Sequence, residues 1–200
     1  MTRPIALGLA LAALAASLSA QTPAPSQPPR GQRPDLGRPT KNDDAIPLFD
    51  FDAYFLGTWT FEWDMPDGPL GPAGRLAGRT VYTALEDGRY QAVTEATGPT
   101  GKVTIKEMIV YNKDLKTLSR DVSDSRGFSY AQKGTIGGDL GGLYYIYFES
   151  DPFPVGGKPV RVRHSLRLTA PLSYRLGVSV SEDGGPFINN GNPWFRKEMK

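Results

Sequence analysis

Three side chains interrupt otherwise apolar alternations in this sequence, and their types are those that do chemistry. His164, the only histidine of the 200 residues, sits in "VRVRHSLRLT" on the same period-two face as Val162 and Leu166. Glu107 shares a face with Ile105 and Ile109, and Arg120 shares one with Leu118 and Val122. A buried polar or charged group costs free energy unless it is partnered. An imidazole, a carboxylate and a guanidinium turned toward one interior therefore read as a constellation. A mostly apolar cavity with a few convergent polar groups is the usual form of a small-molecule site. Tyr174, inward on the strand after His164, is the fourth expected contact.

The same residues admit two other readings. With His164 as acid or base and Glu107 as its orienter, the interior is an active site for an isomerase or hydrolase. With Glu107 paired to Arg120 and His164 hydrogen-bonded inside a filled core, the barrel works only through its outer surface. That surface carries Arg161, Arg163, Arg167 and Arg175. A one-residue bulge would turn Glu107 or Arg120 out to solvent.

Other chemistries find no support. There are no cysteines, which excludes disulfides, thiolate metal sites and cysteine nucleophiles. The net charge is only +2 and the basic residues are scattered, so no nucleic-acid stripe is formed. No phosphate-binding loop, dinucleotide fingerprint or HExxH occurs, and "GFSYA" at 127–131 falls short of a nucleophile elbow. "DFD" at Asp50 and Asp52 and "NDD" at 42–44 supply too few oxygens for calcium. No catalytic residue, metal site or cofactor is assigned.

The elements that must position these groups are strands. In "VRVRHSLRLT" Val160, Val162, His164, Leu166 and Leu168 face one way; Arg161, Arg163, Arg167 and Thr169 face the other. After a turn at Ala170-Pro171, "LSYRLGVSVS" repeats the pattern, with Leu172, Tyr174, Leu176, Val178 and Val180 inward and Ser173, Arg175, Ser179 and Ser181 outward. The two runs predict an antiparallel hairpin. Further strands are expected over 58–65, 79–86, 89–97, 103–112, 116–123, 128–136, 142–150 and 194–199, with turn residues such as Asp87-Gly88 between them. One short helix is expected over 48–56, ahead of Gly57. The fold class is all-β, an antiparallel up-and-down barrel of about eight to ten strands with a short N-terminal helix.

A helical lead-in, then Gly57-x-Trp59 opening the first strand of a meander, resembles the lipocalin-like (calycin) barrels. The resemblance implies that Trp59 plugs the closed end and that a basic residue of the last strand packs across its ring, Arg196 in "WFRKEM" being the candidate. Gly57 would permit the tight chain entry. "FLGTW", "VYNKDLKTL" followed by "SDSRG", and the late "SEDGGPF" and "WFRKE" are similar to a bacterial family of exported lipocalin-like proteins of uncharacterised function, over about residues 48 to 200. This implies a barrel and a cavity and names no ligand. Some related barrels carry haem on a single histidine near the chain's end, a role for which only His164 is available.

The first 45 residues read differently. Arg3 and the apolar "IALGLALAALAASL" form a signal-peptide pattern over 1–20, with small residues Ser17, Ser19 and Ala20 at its end. The apolar run is shorter than the roughly 20 residues of a membrane span. Residues 21–45, rich in proline, glutamine and charge, read as a disordered linker. Residues 46–200 are the expected barrel domain. The whole predicts an exported protein, periplasmic or secreted, whose mature chain has no membrane span and whose partner is a small hydrophobic or amphipathic molecule.

Overall fold

The computed structural model describes residues 46–140 and 142–199; the expected signal segment and linker lie outside the described residues. Alternation governs the fold from Gly57 onward. In β1 (Gly57–Met65), Trp59, Phe61, Trp63 and Met65 are buried, whereas Thr60, Glu62 and Asp64 are exposed. A strand with that pattern must bury one face and solvate the other. Nine more strands of the same kind complete the wall: β2 (Gly74–Ala84), β3 (Arg89–Gly98), β4 (Gly101–Asn112), β5 (Thr117–Asp124), β6 (Ser129–Gly138), β7 (Tyr144–Ser150), β9 (Lys158–Ala170), β10 (Ser173–Glu182) and β12 (Trp194–Lys197). Two short strands, β8 (Phe153–Val155) beside β9 and β11 (Ile188–Gly191) beside β10, stand outside that ring.

Each of the ten pairs antiparallel with its neighbours, and β12 pairs with both β10 and β1, which closes the barrel. Closure leaves no free edge among these ten strands. The hairpin at Ala170-Pro171 forms as expected, with His164 opposite Val178.

One end is sealed by the chain's own lead-in. Helix α1 (Phe51–Phe55) is capped by Asp50, whose side chain accepts from the Ala53 amide at 3.1 Å. It buries Phe51 and Phe55 together with Phe49 against inward tyrosines of the wall. Those tyrosines use their hydroxyls to hold it: Tyr111 donates to the Phe49 carbonyl at 2.9 Å, Tyr90 to Asp52 Oδ1 at 2.6 Å, and Tyr144 to the Pro47 carbonyl at 3.2 Å. Asp50 and Asp52 are thus employed in capping and anchoring.

Three local expectations are corrected. The helix is shorter than 48–56, because capping begins it at Phe51 and Gly57, at φ 115°, turns the chain into β1. Leu172 is half exposed and not inward, because it lies in the turn ahead of β10, whose alternation begins only at Ser173. Ser181 is buried, where its hydroxyl donates to the Gly185 carbonyl at 2.6 Å and closes the turn after β10.

Candidate functional site

Glu107 on β4, Arg120 on β5 and His164 on β9 all turn inward, and the structure brings them together. Arg120 donates from Nη1 to Glu107 Oε2 at 2.6 Å, from Nη2 to His164 Nδ1 at 2.5 Å, and from Nε to Gln132 Oε1 at 2.8 Å. Its guanidinium carbon lies 4.2 Å from the ring centre of Phe148, a cation–π contact. The Glu107 and Arg120 side chains are only 12% and 10% exposed, so this ion pair is largely desolvated. Gln132 on β6 is oriented in turn by donating from Nε2 to the Val162 carbonyl at 2.9 Å.

The contacts fix the state of the imidazole. A guanidinium carries no acceptor, so Nδ1 of His164 must be the unprotonated nitrogen and the ring neutral, with its proton on Nε2. The 3.0 Å approach of Nδ1 to Gln132 Oε1 is then between two acceptors that share the Arg120 fork. Burial, and secondarily the Arg120 charge, hold the His164 pKa well below its ordinary value.

Glu107, Arg120 and His164 border a lumenal cavity of about 90 Å³. Its other walls are mainly apolar and aromatic, among them Phe61, Trp63, Ile105, Val122, Tyr130 and Leu166. Tyr130 stacks on Phe153 at 4.5 Å and is buried enough that its hydroxyl pKa is pushed up to about 12. Among the described residues no hydrogen bond reaches His164 Nε2, Glu107 Oε1 or the Tyr130 hydroxyl. Broader depressions lie outside the barrel, among them those of about 620 Å³ around Trp194 and about 810 Å³ around Tyr147. They are open to solvent, and the charged groups that line them, Glu62, Asp64 and Arg196 in the first and Lys133, Glu149 and Arg163 in the second, belong to the outer face.

Tyr174 forms the cavity floor. Its hydroxyl meets that of Tyr82 at 3.2 Å, and its ring stacks on Phe195 at 4.7 Å and lies 4.9 Å from Trp59. Trp59, fully buried beneath it, donates from Nε1 to the Phe55 carbonyl at 2.7 Å, joining β1 to the last residue of α1. At the opposite end Leu70, in the β1–β2 loop, is buried and lines the cavity mouth. Arg126 holds it there, donating from Nη1 to the Leu70 carbonyl at 2.9 Å while its Nη2 is 2.6 Å from Asp124 Oδ2.

Arg196 does not lie over Trp59. It pairs with Thr60 in the β1–β12 register and is exposed on the outer face. The register instead sets Lys197 opposite Trp59, with Nζ 5.4 Å from its ring centre, because cross-strand partners share a face. The outward basic set is also less free than its spacing suggests. Arg161 and Arg163 both pair with Glu149, and Arg163 stacks over Phe187 at 3.9 Å.

Sequence reasoning missed Gln132, Tyr130 and the Asp124–Arg126 latch. The first two carried a visible signal, since Phe128, Tyr130, Gln132, Gly134 and Ile136 lie at period two in a predicted strand. The latch carried none beyond the polar "SDSRG".

No protein-family model matches the sequence, and no curated protein matches it. Solved structures do match in shape. Rv2717c from M. tuberculosis aligns with a TM-score of 0.60 at 11% identity, over 72% of this chain and 93% of that one. A de novo designed fluorescence-activating β-barrel aligns at 0.43 and 15% identity, over 76% and 100%. The redesigned barrel mFAP1, bound to DFHBI, aligns at 0.41 and 12%, over 74% and 100%. Among the described residues no helix is long and apolar enough to cross a membrane. The likeness to Rv2717c is one of fold: this chain is a closed antiparallel barrel of the same general architecture.

Proposed function

We propose that the protein is an exported, lipocalin-like carrier that holds a small, largely apolar molecule inside the barrel. One observation carries this reading: a cavity of about 90 Å³ with aromatic walls, bordered by polar atoms of Glu107, His164 and Tyr130 that no group of the described residues uses. A filled barrel would have given those atoms protein partners, because unpaired polar groups in a dry core are costly. Export rests on the signal-peptide pattern of residues 1–20.

The cavity suits a compact guest. Drug-sized sites run to roughly 300–1,000 Å³, so the lumen in this conformation has no room for a macrocycle, and the haem option for His164 does not fit. Because Nδ1 of that residue accepts from Arg120, the ring proton sits on Nε2, and neither nitrogen has a lone pair free for iron.

The test is native mass spectrometry of the full chain purified without detergent, followed by organic extraction. A stoichiometric co-purifying small molecule is the expected result, and its identity names the ligand. An empty protein whose melting temperature is raised by no compound of a broad lipid and metabolite panel would sink the carrier reading.

A further inference from the structure

We infer that the lumen selects an uncharged, ring-sized molecule carrying a group that both accepts and donates a hydrogen bond, a phenolic hydroxyl being the simplest case. This rests on the carrier reading and specifies its ligand.

The site is balanced in charge. Arg120 is already neutralised by Glu107 within hydrogen-bond distance, and His164, as acceptor of the Arg120 N–H, is neutral. The described lining therefore holds two ion pairs, Glu107–Arg120 within the lumen and Asp124–Arg126 at its mouth, and no surplus of either charge. A second carboxylate entering beside Glu107, or an ammonium entering beside Arg120, meets a like charge where solvent screening is weak. Each would also shed its hydration without gaining a free counter-charge. An arginine inside a barrel ordinarily suggests an anionic guest; here the pairing with Glu107 opposes one.

Three polar atoms at the cavity have no partner among the described residues. His164 Nε2–H can only donate, Glu107 Oε1 can only accept, and the Tyr130 hydroxyl can do either. A hydroxyl on the guest can accept from His164 and donate to Glu107 at once. A purely apolar guest would leave both unsatisfied, at the usual penalty for buried polar groups. About 90 Å³ between Phe61, Trp63, Tyr130 and Tyr174 suits a single ring better than an acyl chain.

The test uses four probes that share a p-tolyl ring and differ in one substituent: p-cresol, toluene, p-toluate and 4-methylbenzylamine. Their binding to the full chain is measured by ligand-observed NMR and calorimetry at about pH 7.5, where the cresol is neutral and the last two are charged. The expected result is that p-cresol binds at least about tenfold more tightly than the other three. Glu107→Gln, which keeps an acceptor for Arg120 and removes the charge, should raise p-toluate affinity about tenfold and leave p-cresol favoured over the amine.

Tighter binding of p-toluate or of the amine by the unaltered chain overturns the charge argument and leaves the carrier reading standing. Toluene equal to p-cresol overturns the polar pairing alone. If no probe binds while a molecule of another class co-purifies, this inference fails and the carrier survives. If no probe binds and the protein is empty, both fall. The unaltered chain decides all four cases, so the result does not depend on the variant folding.

Discussion

Arg120 Nη2 and His164 Nδ1 meet at 2.5 Å across the lumen, although their strands, β5 and β9, are separated in the wall by β6 and β7. The guanidinium thereby links four strands, since Glu107 on β4 and Gln132 on β6 share it. Wall strands are held by backbone ladders; this strut holds the interior, and it places the unused faces of Glu107 and His164 on the cavity.

Removing the centre of the strut should be costly in a diagnostic way. Arg120→Met leaves the Glu107 carboxylate desolvated with no counter-charge, and the expected loss is about 3–5 kcal/mol. Arg120→Met combined with Glu107→Leu leaves no buried charge and should recover most of that loss. Urea unfolding midpoints of the three proteins check it. A double variant as unstable as the single would mean that guanidinium packing on Phe148, and not charge pairing, holds the site.

The single histidine makes the pH dependence readable. Burial first and Arg120 second lower the folded pKa of His164 well below 6.5. Below that value the unfolded chain binds a proton at His164 that the folded chain refuses. Stability from this group is thus fully present above about pH 6.5 and declines as pH falls, by up to about 1.4 kcal/mol per unit until the folded pKa is reached. His164→Asn, which retains an acceptor for Arg120, should remove that slope between about pH 7 and 5. Unfolding titrations of both proteins across that window provide the check; an unchanged slope would place the dependence on carboxylates.

Much of the fold was legible because barrels obey period two. The β9–β10 hairpin, the inward turn of Glu107, Arg120 and His164, and the lead-in before Gly57 all follow from alternation and turn residues. The partner of Trp59 was not legible. "WFRK" has aromatic residues at two adjacent positions, so its inward parity is ambiguous, and only pairing with β1 buries Phe195 and exposes Trp194. That parity carries Lys197, not Arg196, to the tryptophan. Whether the lumen is hollow depends on side-chain volumes from strands far apart in sequence, which local pattern does not encode.

The parity is itself testable. Lys197→Ala removes the ammonium over Trp59 and its 3.4 Å hydrogen bond to the Ala53 carbonyl, and should cost about 1 kcal/mol. Arg196→Ala, on the outer face, should stay within about 0.5 kcal/mol of the unaltered protein. Chemical denaturation distinguishes them, and the opposite order would return Arg196 to the closed end.

The mouth should behave as a gate. The loop carrying Leu70 is pinched by paired backbone hydrogen bonds between Gly68 and Gly71, and Arg126 fastens it by reaching the Leu70 carbonyl 56 residues away in sequence. Asp124, with only 4% of its side chain exposed, anchors that arginine. Loops that cover a site in this way control passage more than affinity. The double variant Asp124→Asn, Arg126→Leu frees the loop without leaving an unpaired buried carboxylate. Association and dissociation rates of p-cresol, or of whatever molecule co-purifies, should both rise by about tenfold while Kd stays within about threefold. NMR exchange line shapes supply both rates. A rise in the dissociation rate alone would mean that Arg126 or Asp124 contacts the guest, and the mouth would then belong to the binding site and not to its door.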